Sequence, residues 1–227
     1  MFEFSSKEAV DSFWESVVLE RFPQAKMKFK DESKLMKLIG FLMFFNRRFM
    51  TDYITTVGFT IYFPSRKWVE NNYGSTLGVM THEFIHLWDR NKCIKENKVD
   101  TFAIGYLSPQ LFSLISIFAF LAFFNSWFLL FLIFLGFMLP WPSKWRTTWE
   151  LNGYGMTMLF YGFIQRTSYN ANEHARVLAD EFTTAQYYWM CRDKNYIIQQ
   201  LTHRYETMLE THGGAAAAYQ WLKTHQL

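Results

Sequence analysis

The chain is a series of amphipathic stretches broken by one long apolar tract. From Thr101 to Ser143 no position carries a charge. Two dense apolar blocks lie inside it, Leu111 to Phe124 and Trp127 to Trp141, separated only by Asn125-Ser126. A bilayer core about 30 Å thick takes roughly 20 helical residues per crossing, so the tract suffices for two short spans joined by a tight turn. Ser108, Gln110, Ser113 and Ser116 weaken the first block, and Gly136 and Pro140 sit in the second. Trp127, Trp141, Trp145 and Trp149 suit membrane interfaces. A hairpin buried in a soluble core is the competing reading, but a chain this small leaves little protein to cover one. The pattern predicts a helical hairpin that is transmembrane or re-entrant.

Ahead of the tract, residues 6 to 20 read as an amphipathic helix with Val10, Phe13, Trp14, Val17 and Val18 on one side. Residues 31 to 50 read as a second, with Leu35, Leu38, Ile39 and Leu42 on one face and Arg47 and Arg48 late, where a helix C-terminus favours cations. Tyr53 to Phe63 is β-branched and aromatic and stops at Pro64, the signature of a strand; Gly58 marks a bulge or hairpin turn that would fold in a second strand. Asn71, Asn72, Gly74 and Ser75 form a loop and the start of a helix running to about Arg90. A charged connector, Arg90 to Asp100, leads to the hairpin. Helices resume at 144 to 166, 170 to 191 and 194 to 210. After Gly213-Gly214 the Ala-rich tail reads as a peripheral helix. The expected fold is mainly α with a small β-sheet, an α+β body interrupted by the hairpin. Its segments are 1–100, 101–143 and 144–227.

One motif carries chemistry. Thr81-His82-Glu83-Phe84-Ile85-His86-Leu87-Trp88-Asp89 contains HExxH. On a helix His82 and His86 project from one face a turn apart, so both imidazoles can reach one tetrahedral Zn²⁺. Glu83 can lean over the metal without binding it and take a proton from attacking water. The flanking Val79, Met80, Phe84, Ile85, Leu87 and Trp88 imply a buried helix, in which two bare histidines and a carboxylate need a partner.

Hydrolytic zinc usually has three protein ligands and an open position. Glu150 is the best third, because the hairpin returns its helix to the membrane face of His86. Tyr154 lies one turn on, on the same helical face, where its hydroxyl could stabilise an oxyanion; an ordinary core tyrosine is the alternative. Rival ligands are Asp89, whose expected role is to orient an imidazole, and Glu173, His174, Asp180 and Glu181 on a later helix.

Composition adds a little. Half of the residues are hydrophobic and a fifth aromatic, which points toward lipid. A net charge of +3 is too small to argue for nucleic acid. Cys93 and Cys191 make neither a disulfide framework nor a CxxC pair, as suits a reducing compartment. The first residues carry no basic segment before an apolar core, so no secretory signal is expected.

HExxH followed by a glutamate on a later helix resembles the gluzincin branch of the zincin metallopeptidases. The resemblance implies zinc held by His82, His86 and Glu150, with Glu83 as general base. It also implies an edge strand, here Thr55 to Phe63, that pairs with the substrate backbone. A hydrophobic hairpin between HExxH and the third ligand resembles the membrane-bound HtpX and CAAX prenyl protease family. That family has an Asp four residues after the ligand Glu, whereas Tyr154 stands there in this chain, and Arg176 occupies the Glu position before Asp180. The chain also resembles uncharacterised bacterial and phage metallopeptidases at Thr60-Ile61-Tyr62-Phe63-Pro64 and Tyr106-Leu107-Ser108-Pro109-Gln110.

The expectation is a membrane-anchored zinc metallopeptidase whose partners are a lipid bilayer and a polypeptide substrate, with no nucleic acid. Arg146 is a second candidate for steadying the oxyanion. Arg90, Lys92, Lys95 and Lys98 before the hairpin, and Lys144 and Arg146 after it, put the catalytic side in the cytoplasm by the positive-inside rule. Two alternatives remain. One is a non-catalytic membrane protein with a structural or vestigial zinc site. The other is a membrane di-iron oxygenase, which needs more histidines near the membrane than this chain has.

Overall fold

The computed structural model describes residues 4–43, 46–139, 141–184 and 189–225. It is mainly helical with one three-stranded sheet. Helix α1 (Lys7–Phe13) is capped by Ser6, whose side chain accepts from Ala9 N, and continues into a π-helical segment, Trp14–Leu19. Strand β1 (Lys26–Phe29) follows. Helix α2 (Lys34–Leu42) is capped by Ser33.

The helix expected over 31 to 50 is therefore shorter. Past Leu42 the chain turns, and Asn46 Oδ1 accepts from Arg48 N, a side-chain-to-backbone bond that competes with helix. Arg47 and Arg48 sit in that turn rather than on the helix; residues 44 and 45 lie outside the described residues.

Strands β2 (Thr55–Val57) and β3 (Thr60–Phe63) form a hairpin with Val57 opposite Thr60. Its two-residue loop starts at Gly58, whose φ of 67° is the left-handed conformation that tight hairpin turns need. The sheet order is β1-β3-β2, with β1 parallel and β2 antiparallel to β3. β3 is central, and Ile61 and Phe63 are fully buried.

Helix α3 (Arg66–Asn71) precedes the motif helix α4, which runs from Tyr73 to Asn97, two turns beyond the expected end. It stops at Lys98, whose φ is positive. Helix α5 (Thr101–Leu107) is capped by Asp100, and Arg90 pairs with the same carboxylate.

The apolar blocks form two 3₁₀ segments, Gln110–Phe123 and Ser126–Met138, with Asn125 capping the second. They pack antiparallel, Phe112 against Phe137 and Phe118 against Phe131. Neither has a buried residue, and Phe123, Phe124 and Ile133 are each more than three-quarters exposed. No single helix among the described residues is long and apolar enough to cross a membrane. The bent pair Thr101–Leu107 and Gln110–Phe123, with a 78° break, meets that test together. Pro140 lies outside the described residues.

Helices α6 (Lys144–Gln165), α7 (Ala171–Thr183), α8 (Lys194–Thr211) and α9 (Gly213–Thr224) complete the fold. The helix expected over 170 to 191 ends at Thr183; residues 185–188 lie outside the described residues. α4 and α6 cross closely at Gly78, where an added Cβ would lie 3.1 Å from the Phe160 ring. The main core joins α1, the sheet, α4, α6 and α9 around Phe13, Phe63, Phe84 and Phe160.

The tail helix is not peripheral. Ala215, Ala218, Trp221 and Leu222 are buried in that core. Gly213 and Gly214 allow it, since a Cβ at either would meet Trp88 at 3.0 and 2.8 Å. Small residues make the helix core-facing through closeness of approach, which a hydropathy pattern does not register.

Candidate metal centre

α4 and α6 build the site. α4 presents His82, Glu83 and His86, and α6 presents Glu150; all four are buried. His82 Nε2 and His86 Nε2 are 3.0 Å apart. Glu150 Oε2 lies 3.4 Å from His82 Nε2, and Oε1 lies 3.6 Å from His86 Nε2. A tetrahedral ion with bonds of about 2.05 Å separates its ligand atoms by roughly 3.3 Å. The three side chains therefore have the spacing of a metal cradle, and among the described residues this is the cluster able to hold an ion.

Further contacts hold the two imidazoles at that point. Gly153 lies against the His82 ring, where a Cβ would come within 2.5 Å of Nε2; its bare backbone is the space the imidazole occupies. His86 Nε2 points into the cradle; its Nδ1, on the far side of the ring, is buried with no hydrogen-bond partner among the described residues. His82 Nδ1 meets Thr157 Oγ1 at 3.2 Å, and that hydroxyl is itself 3.2 Å from Gly153 O. An outer-shell bond of this kind fixes which imidazole nitrogen faces the metal.

The charges are strongly coupled. Burial alone would depress His86, but the negative charge and hydrogen bond of Glu150 reverse this and raise it to about 9. Burial would raise the Glu150 carboxyl, but the charge of His86 and hydrogen bonds from both histidines hold it well below the usual range. The cradle attracts positive charge strongly enough to keep a proton there above neutral pH, and a divalent ion would displace it.

A cleft of about 290 Å³ opens over the cradle. Glu83, His86 and Glu150 lie at its floor, β2 supplies Thr55, Thr56 and Val57, and α2 and α5 supply further walls. Glu83 is not part of the metal cluster. Its Oε2 accepts a 2.6 Å hydrogen bond from the Thr56 hydroxyl, so the edge strand positions the carboxylate beside the cradle.

Tyr106 Oη donates to Glu150 Oε1 at 2.5 Å and lines the cleft. Tyr154 sits elsewhere. Its ring packs edge-on against His82 at 4.8 Å and against Phe182 at 5.4 Å, and it is not among the residues lining the cleft. Arg146 lines the cleft while donating to the Tyr106 carbonyl and Gln110 Oε1. The Tyr106 carbonyl and Arg146 guanidinium thus join the two helices at the hairpin's root.

The rival ligands lie outside the metal cluster. Asp89 accepts from Asn152 at 2.9 Å and bonds His212 Nε2 at 2.8 Å. It ties helices together and orients neither site imidazole. Glu173, His174, Asp180 and Glu181 lie on α7. Asp180 pairs with Lys194, His174 meets Tyr169 and Glu181 meets Tyr53. Thr56, Gly153 and Thr157 carried no sequence signal beyond residue type, and Tyr106 only its place in a resembling stretch, because their roles depend on contacts between distant elements.

No family model matches the chain, and no match to it was found among curated proteins or solved structures.

Proposed function

We propose that the protein is a membrane-anchored zinc metallopeptidase. The observation that carries this reading is the convergence of His82, His86 and Glu150 at metal-ligand spacing, with a separate carboxylate, Glu83, beside them in a cleft. Held there, zinc supplies Lewis acidity toward a carbonyl oxygen and lowers the pKa of water. Glu83, steadied by Thr56, takes the proton from attacking water and delivers it to the leaving amine. The Tyr106 hydroxyl, on the cleft wall, spends its one proton on Glu150 Oε1 and so orients that ligand. β2 is the edge strand and lines the cleft, so an extended polypeptide can lie along it.

The membrane part rests on the hairpin. Its segments have 14 and 13 residues, and at about 2.0 Å rise per residue a 3₁₀ segment of that size extends roughly 26–28 Å, close to the thickness of a bilayer core. Its apolar side chains face outward. Basic residues flank both ends, which favours the cytoplasm for the catalytic side. A purely structural zinc site would favour four protein ligands, and the described residues offer three.

The test is metal content by mass spectrometry on detergent-purified wild type, His86→Ala and Glu150→Ala. The expected result is about one zinc per chain, lost in both variants. Glu83→Gln should keep the zinc and lose at least a hundred-fold in cleavage of labelled casein. Wild-type protein without zinc, or a Glu83→Gln protein that cleaves as fast as wild type, would overturn the reading.

A further inference from the structure

Helix α2 has two apolar sides, and the fold uses only one. Met36 is fully buried and packs with Phe49 and Tyr62, and Ile39 and Met43 pack against the same cluster. Ile39 and Met43 also line the cleft. The other side is left open. Leu35, Leu38, Phe41 and Leu42 are 46, 57, 78 and 43 % exposed. A helix of nine residues with four large exposed apolar side chains is not an ordinary solvated helix; contiguous patches of this kind mark interaction sites.

The charges around the patch say what covers it. Between Ser33 and Thr51 the sequence has four cations, Lys34, Lys37, Arg47 and Arg48, and no acid. Arg48 pairs with Asp52. Lys34, Lys37 and Arg47 are exposed and form no ion pair among the described residues. Asp31 and Glu32 lie before the cap, off the helix. Apolar side chains flanked by unpaired lysines are the make-up of a helix lying in the headgroup layer, with aliphatic stems buried and ammonium groups among anionic lipids.

Position agrees with charge. α5 also lines the cleft, contributing Phe102, Ala103 and Leu107, and exposes apolar residues of its own, Ile104 and Leu107 being about half exposed. α5 leads directly into the apolar hairpin. Both helices that frame the cleft thus carry lipid-compatible outer faces.

We propose that α2 is an interfacial membrane helix, seated in the headgroup region of an anionic bilayer beside the hairpin. The cleft then opens at the bilayer surface, and the polypeptides that reach it are segments at or just outside the membrane. The substrate consequence rests on the peptidase reading above; the membrane contact does not.

The test uses the full chain with Cys93 and Cys191 replaced by Ser and one environment-sensitive fluorophore at Phe41→Cys or, separately, Ile133→Cys in the hairpin. Each is reconstituted into phosphatidylcholine vesicles with or without phosphatidylglycerol, carrying brominated acyl chains. The Phe41 label should be quenched at least two-fold in anionic vesicles, less in neutral ones, at a depth of about 5–10 Å. Lys34→Glu with Lys37→Glu should abolish the difference between the two lipids. A Phe41 label with aqueous emission and no quenching overturns the proposal, as does equal quenching in the two lipids. A label shielded from aqueous iodide yet untouched by bromolipid places a second protein chain there and also overturns it. The Ile133 label separates the readings. If it is quenched while Phe41 is not, the hairpin enters the membrane and α2 does not. Zinc content of the same samples reports on the metal centre independently.

Discussion

At the scale of single residues, two positions have consequences that their side chains alone do not suggest. Gly153 is the first. In a helix interior, alanine is favoured over glycine by about 1 kcal/mol, so Gly153→Ala should leave the metal-free fold at least as stable by propensity. Yet its Cβ would collide with the His82 imidazole, which Thr157 holds from the other side. The expected outcome is a ten- to hundred-fold loss of zinc affinity with a metal-free melting temperature close to wild type, measured by competition with a fluorescent chelator and by thermal unfolding in detergent.

Lys30 is the second. It is fully buried, with Nζ 2.6 Å from the Phe49 carbonyl and over the Phe49 ring. Burial lowers its pKa from 10.5 to about 7, against the pull of Glu83. Between those values the unfolded chain binds more protons than the folded one, so stability rises with pH across that window. Below pH 7 both states hold the proton and the folded state bears the whole cost of the buried charge. From pH 7 to 9 the wild type should gain about 2 kcal/mol relative to Lys30→Met, at about 1.4 kcal/mol per pH unit once past the folded pKa. Urea unfolding of both proteins at the two pH values measures it; parallel curves would mean that Lys30 keeps its charge in the fold.

At the scale of elements, Asp89 joins four helices. It lies on α4, takes a hydrogen bond from Asn152 on α6, and bonds His212, whose Nδ1 caps α9 through Ala215 N. Asn152 in turn accepts from Arg204 on α8. Asp89→Ala strips two partly buried donors of their acceptor at once, and should cost about 2 kcal/mol while leaving zinc at one per chain. Zinc lost with the melting temperature unchanged would return Asp89 to the ligand set.

The same network shows what the sequence did and did not make legible. HExxH was readable because its geometry is internal to one helix. Glu150 was readable because the apolar tract pointed to a return helix. β1 was missed, since Lys26-Met27-Lys28-Phe29 is short and half charged, and its pairing with β3 is parallel and non-local. The burial of α9 was missed because it depends on two glycines meeting Trp88 from elsewhere in the chain. Thr56 and Tyr106 could not be placed without the sheet register and the α5–α6 contact.

At the scale of the whole molecule, the hairpin and the body are nearly separate in packing. Of the buried residues that make up the three core clusters, none falls between Ser108 and Ser143, and the two 3₁₀ segments pack mainly on each other through their phenylalanines. The body's link to the hairpin is polar and sits at its root, where Gln110 accepts from Arg146 and donates to the Leu139 carbonyl. That last bond, at 3.2 Å, brings the two ends close enough for a few residues to bridge them. Replacing Leu111 to Met138 with a short Gly-Ser linker, and keeping Gln110 and Leu139, should therefore leave the cradle intact. The expected product retains about one zinc per chain, with a zinc affinity within a few-fold of the intact protein, because all three candidate ligands and Thr157 lie in the body. Its detachment from vesicles should be incomplete in anionic lipid, since α2 keeps its exposed leucines and lysines, and nearly complete in neutral lipid. Flotation of both proteins with each lipid, with zinc measured in every fraction, checks the two statements together. Zinc lost from a folded linker protein would mean that the apolar segments shape the metal centre, and that body and hairpin are one cooperative unit.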